Sequence, residues 1–413
     1  MADSTRKLVL MIDEGKSMDE IYDALCRSDM ATNVADPNRW IGGKRLRVLF
    51  HTLSREILRS LLMKTLGPDL WNEGPQNENW KRVLPPGGAG CYACFIYVHG
   101  RRGKFLSSNE INEVITLLLV YIQAVDIYQR HQECDNYVAS QELDGKDRTA
   151  YDKAMAIDDA LRKENRWDLA NPQHNQFVPR FMSSTTTPGV KFSHNISALI
   201  DMLKRRCRYT TDANTHHRQS PLLVGNSDNV ARRVQNHMIE GGFSNSPKVW
   251  GLLLSCMKVL KFECRTGYAT LFRTWKDEAQ VNQAEVLGTL LAGSMISQDG
   301  LNVKEPGTRF DRGSWTPNAF GDSRDKVFID TPWFEENLQQ SLAYRTDAKK
   351  KADELHAQTM RNDDALKEAE IGLRKKKMEL DEAKSRYKEA KKTAEANVAE
   401  GENILKEMEE LLQ

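Results

Sequence analysis

The feature that most constrains this chain is its last eighty or so residues. After Thr331-Pro332 no proline occurs, and the only glycines are Gly372 and Gly401. Proline suits the first turn of a helix, and the Lys-, Glu- and Ala-rich sequence beyond it favours continuation, so residues 331–413 predict one long charged helix. With Leu366 as position a of a heptad, the a series reads Leu366, Leu373, Leu380, Tyr387, Ala394, Gly401 and Met408. The d series reads Ala369, Lys376, Ala383, Ala390, Asn397, Ile404 and Leu411. The seam is coiled-coil-like but thin. Lys376, Asn397 and Gly401 weaken a parallel dimer, so packing against the chain's own body or a neighbouring subunit fits better.

The preceding sequence predicts mainly helices. Ser17-Met-Asp-Glu20 and Ser107-Ser-Asn-Glu110 are capping boxes, each opening a helix. Apolar residues from Leu46 to Leu62 recur every three or four positions, predicting a helix over 43–66. The β-branched and aromatic run Cys91 to His99, followed by Gly100-Arg-Arg-Gly103, predicts a β-hairpin near 91–106 with a basic tip. A core helix is expected over about 109–132, an acidic helical stretch over 140–168, and further helices at 192–208, 228–240, 247–262 and 268–297. Residues 298–325 read as loop. The expected fold is mostly α: two helical lobes, 1–170 and 191–330, joined by a linker at 171–190 and followed by the helical arm 331–413.

Several function classes find no support. The longest apolar run, Val114 to Ile122, is too short to span a bilayer, so no membrane association is expected. Arg6-Lys7 precede only Leu8 to Ile12, too little for a secretory h-region. Seven scattered cysteines suit a reducing, cytoplasmic compartment. Gly15-Lys16-Ser17 lacks the earlier glycine of a phosphate-binding loop. Cys91 and Cys94 resemble half a zinc site, but no second pair follows and strand alternation sends them to opposite faces. No catalytic residue, metal site or cofactor is expected.

Charge gives the functional signal. Residues 191–276 hold fourteen Lys/Arg against five Asp/Glu and residues 39–104 hold twelve against four, whereas 105–170 hold seven against thirteen. The densest clusters are Arg101, Arg102 and Lys104 in the hairpin tip, Lys204, Arg205, Arg206 and Arg208 beside Tyr209, and Arg232-Arg233. Guanidinium groups suit phosphate contacts and nearby aromatics suit base stacking. Alternatively, the same arginines pair with the acidic segment inside the protein.

This layout of helical lobes, internal basic blocks and a terminal helical arm resembles the coat or nucleocapsid-like proteins of amalgaviruses, of similar length and coiled-coil-forming. The resemblance implies a protein that binds single-stranded or genomic RNA without sequence specificity and forms homo-oligomers through its C-terminal helix, in the cytoplasm or a virion. A cytoplasmic coiled-coil scaffold or adaptor is the alternative.

Overall fold

The computed structural model describes residues 3–32, 44–71, 81–133, 144–161, 178–183, 189–208, 210, 212–241, 243, 246–307 and 317–412. Two units are distinguished, Met1–Leu342 and Ala343–Gln413.

The body is organised around one strand, β1 (Gly90–Val98), whose β-branched and aromatic residues are buried on both faces except for the half-buried Tyr97. It pairs antiparallel with β2 (Leu222–Ser227) on one side and β3 (Cys264–Arg273) on the other. Helices cover each face. On one lie α1 (Asp3–Asp13), α2 (Met18–Cys26), α4 (Lys44–His51), α5 (Arg55–Met63) and α6 (Leu66–Leu70), with the short α3 (Asp29–Thr32) against α1 and α2. On the other lie α7 (Ser108–Glu133), α8 (Gly145–Asp159), α9 (His194–Cys207), α10 (Val230–Gln235) and α11 (Lys248–Val259). The later helix α12 (Glu278–Ala292) returns to the first layer through Ala284, Leu287 and Leu291. Alternation along β1 feeds both cores: Cys91, Ala93 and Phe95 enter one, Tyr92, Cys94 and Ile96 the other.

The protein is thus mostly helical, with a small antiparallel sheet and a long C-terminal helix. The helical groups do not follow the chain division expected at 171–190. α7 and α8 pack with α9 and α11, α12 packs with α4 and α5, and a single sheet takes strands from both sides of that division. Most of the 171–190 segment lies outside the described residues.

Local rules explain much of this. Both capping boxes form: Ser17 Oγ accepts from the Glu20 amide while Glu20 accepts from the Ser17 amide, and Ser107 and Glu110 do the same at 3.4 and 2.8 Å. The helix expected over 43–66 is two helices, because Ser54 caps a new one by accepting from the Ile57 amide. The carbonyls released at that break accept from the start of α14 (Trp333–Leu412): Trp333 Nε1 donates to Thr52 O at 2.9 Å and Asn337 Nδ2 to His51 O at 2.8 Å. The hairpin differs too. Val98 to Lys104 form a tight turn closed by Val98 N–H to Lys104 O at 3.1 Å, but the returning residues are not a strand and β1 finds its partners far away in sequence. Residues 268–273, expected to begin a helix, belong to strand β3, and α13 (Pro317–Asp330) is a helix that begins inside the stretch read as loop.

The segment Ser108–Arg130 of α7 is long and apolar enough to cross a bilayer by length and composition alone. Here it is a core helix, with Val114, Leu118, Tyr121 and Val125 fully buried against α8 and α9. Beyond Leu342, α14 is exposed almost throughout.

Candidate nucleic-acid interface

The cations singled out by sequence divide into those bound to buried or half-buried protein groups and those that stand exposed. Arg101 sits in the 98–104 turn, where Gly100, Arg102 and Gly103 all adopt positive φ. Its guanidinium forks onto Glu110 at 2.7 and 2.8 Å, and Glu110 also caps α7. Arg101 therefore couples the turn to the helix it precedes. Arg102 is exposed beside it and Lys104 is half-buried.

The α9 cluster divides residue by residue. Lys204 to Arg206 occupy the last turn, where cations complement the helix dipole. Arg205 donates to the Ile296 and Gln298 carbonyls at 2.9 and 2.6 Å, and Arg206 to the Gln219 and Asp299 carbonyls at 3.1 and 2.6 Å. Arg206 is buried, and burial lowers its pKa to about 10. Lys64 reaches the same turn, 2.7 Å from the Asp299 carboxylate. These three side chains tie the 294–302 segment to α5 and α9. Lys204 and Arg208, by contrast, are exposed. Tyr209 lies outside the described residues.

Arg232 is exposed and pairs with Asp228 one turn earlier at 2.9 Å. Arg233 turns inward beside the Tyr92 hydroxyl, which burial keeps well above the ordinary tyrosine pKa. Tyr92 donates to His237 Nε2 at 2.9 Å, and His237 Nδ1 lies 2.6 Å from Ser246 Oγ. Burial pushes the His237 pKa down to about 3. The chain of bonds ends at the Asn236 carbonyl, which accepts from Ser246 Oγ, and both rings are buried, so the arrangement locks α10 to the sheet.

Sequence patterning missed a cleft. Sheet order makes β3 an edge strand, and among the described residues its outer side is met by one bridge, Leu84 to Thr270. Beside that edge opens a cavity of about 570 Å3 lined by aromatic residues Trp71, Phe95, Tyr97 and Tyr268. Its size lies in the range of small-molecule sites. Gly267 makes the floor: a Cβ there would stand 2.4 Å from the Phe95 ring, so only glycine lets the ring lie across β3. Gly67 and Gly103 similarly bring α6 against the 98–104 turn, where either Cβ would meet the opposite carbonyl oxygen at 2.3 Å.

Cations surround this region. Arg265 lies cross-strand from Tyr97 and is 47% exposed, and Arg218 contacts Asp69 of α6 at 3.2 Å while remaining 66% exposed. Arg82, next to the lining residue Val83, is also exposed. The carboxylates Glu240, Glu263 and Asp69 balance part of this charge. The strand alternation of 91–98 could have revealed the aromatic pair Phe95 and Tyr97, but not their meeting with Trp71 and Tyr268.

No group of three or more His, Cys, Asp or Glu suited to a metal gathers among the described residues. Cys91 and Cys94 lie in the two different cores. In comparisons with protein-family models, curated proteins and solved structures, nothing matches this chain.

Proposed function

We propose that the protein coats RNA without reading its sequence and assembles through its C-terminal helix, as a viral nucleocapsid or coat-type protein does. The observation that carries this reading is the uncovered helix. From Leu355 to Leu411, apolar side chains including Leu366, Leu373, Leu380, Tyr387 and Ile404 stand more than half exposed along it. A monomer gains nothing from so many solvated apolar groups, whereas an assembling subunit buries them. The aromatic cleft, with Arg218 and Arg265 near it, supports the RNA half of the reading, since bases stack on aromatic faces while guanidinium groups meet phosphates. Lys204 and Arg208 offer a second cationic contact. Many weak contacts in an assembled array then give avid coating.

One observation favours the alternative, a coiled-coil scaffold. Arg101, Arg205 and Arg206 are engaged by Glu110 and by backbone carbonyls, so they hold the body together instead of facing a ligand.

The test is fluorescence anisotropy of nuclease-treated full-length protein with a short unstructured RNA across a salt series. Binding should weaken linearly in log–log form as salt rises, with a slope that counts neutralised phosphates. Lys204→Glu with Arg208→Glu should weaken binding about tenfold while leaving the fold intact, on the order of the salt-dependent contribution of two contacts. Absence of binding at low salt would leave the scaffold reading.

A further inference from the structure

We infer that the distal half of α14 pairs with the same segment of a second copy of this chain in antiparallel orientation, centred near Lys392. The inference rests on the self-assembly reading above and specifies its geometry. Two features of the sequence, both carried on one uninterrupted exposed helix, point to it.

The first is charge. Residues 374–392 contain nine Lys/Arg against four Asp/Glu, a net of +5, while residues 393–413 contain one Lys against six Glu, a net of −5. In a parallel, in-register pair each block faces its own sign. In an antiparallel pair centred at 392, the basic block of each copy lies along the acidic block of the other. On one flank of that pair the e position Lys377 lies beside the b position Glu409 of the second copy and Lys384 beside Glu402, and on the other flank Arg386 lies beside Glu400. Like-charge juxtaposition is the stronger discriminator between such alternatives.

The second is the seam. In antiparallel pairs the a positions of one helix layer with the d positions of the other. Under the same centring Leu373 meets Leu411 of the second copy and Leu380 meets Ile404, so large residues that stand 53–87% exposed cover one another. Between them Ala383 meets Gly401 and Ala390 meets Ala394, a run of small residues that lets the backbones approach. Lys376 faces Met408, along which its aliphatic stem can lie, and Asn397 faces Tyr387. The parallel arrangement instead stacks Lys376 on Lys376 and Asn397 on Asn397. The residues that make the parallel seam thin are thus redistributed into compatible layers by reversal, and one register satisfies charge and packing together. A Cβ at Gly401 meets no atom within 4 Å in the isolated chain, so space for the partner is present.

The experiment is zero-length carbodiimide cross-linking of nuclease-treated full-length protein, assembled from an equal mixture of 14N- and 15N-labelled chains and read by mass spectrometry. Cross-linked peptides of mixed isotope joining Lys377 to Glu409 and Lys384 to Glu402 are expected. On one straight helix the first pair is roughly 48 Å apart, so the mixed isotope identifies a second copy. Mixed-isotope links between near-equal positions, such as Lys384 to Glu379, would overturn the antiparallel pairing and leave self-assembly standing. An oligomer in sedimentation without arm-to-arm links would do the same. A monomer without mixed-isotope links would overturn both.

Discussion

The single helix α14 has two parts that obey different rules. Over its first ten residues every third or fourth side chain is engaged: Trp333 and Phe334 are 5% exposed, Asn337 donates to two carbonyls, and Ser341 Oγ accepts from the Asp19 amide. Over the next seventy the side chains are solvated, and what holds the helix is local, such as the one-turn pairs Arg386–Glu382 and Lys391–Glu395 at 3.7 Å. Such pairs contribute about 0.2–0.5 kcal/mol each. The same difference separates the cations of the two units. In the body Arg205 and Arg206 serve neighbouring carbonyls, whereas the cations of the arm stand in solvent with at most one-turn partners.

The root of α14 gives the largest test. Trp333→Ala removes a buried indole and leaves the Thr52 carbonyl without its 2.9 Å donor. Denaturant unfolding should show the body destabilised by about 3–5 kcal/mol. An unchanged midpoint would mean that α14 is no part of the body's structure, and the contrast between its two segments would collapse.

Next in size comes the contrast within α9. Arg206→Ala exposes the Gln219 and Asp299 carbonyls to a buried gap and should cost about 2–3 kcal/mol, as hydrogen bonds from charged groups do. The exposed pair Lys204→Glu and Arg208→Glu should cost less, about 1 kcal/mol, through the helix dipole alone. Equal losses in thermal unfolding would show that exposure does not separate structural from available cations here.

That contrast also marks what the sequence could and could not convey. Capping boxes, the α14 start at Thr331-Pro332 and the alternation of Cys91 and Cys94 are local signals, legible because each involves residues a few positions apart. The basic clusters were legible as clusters, but adjacent Lys204 and Arg205 have opposite roles fixed by carbonyls about ninety residues away. Strand β3 escaped for a related reason. Its residues Tyr268 to Phe272 continue an apolar pattern into α12, and only pairing with β1 decides between strand and helix. The single helix expected over 43–66 failed at Ser54, whose cap becomes worthwhile once Trp333 and Asn337 arrive to bond the freed carbonyls.

The body also buries ionisable groups, which makes its stability pH-dependent in two opposing ways. Burial raises the Asp158 pKa to about 7 although Tyr121 OH and the Arg180 amide donate to it. The folded state then binds the extra proton, so this contribution to stability falls as pH rises from about 4 to 7. His237, held down to about 3, acts with the opposite sign, and its contribution is lost as pH falls from about 6.5 to 3. Between about 4 and 6.5 the two slopes offset one another. Asp158→Asn should therefore leave a stability that rises with pH, and His237→Gln one that falls, each by up to about 1.4 kcal/mol per pH unit. Matching flat profiles in both variants would remove these groups as the source of any pH dependence.

The smallest effect sits in the arm and tests its independence. Gly401 lies inside α14 with open space where a methyl group would project, and glycine in a helix interior is less favourable than alanine by about 1 kcal/mol. Gly401→Ala should raise the arm's helicity on heating, seen by far-ultraviolet circular dichroism, while the body's cooperative unfolding midpoint does not move. Because the added methyl falls opposite Ala383 of a second copy in the antiparallel pairing, association should persist with little change. A shift in the body's midpoint would mean that the seventy exposed residues and the ten anchored ones unfold as one unit, so that anchoring energy is shared along the helix and does not end near Leu342.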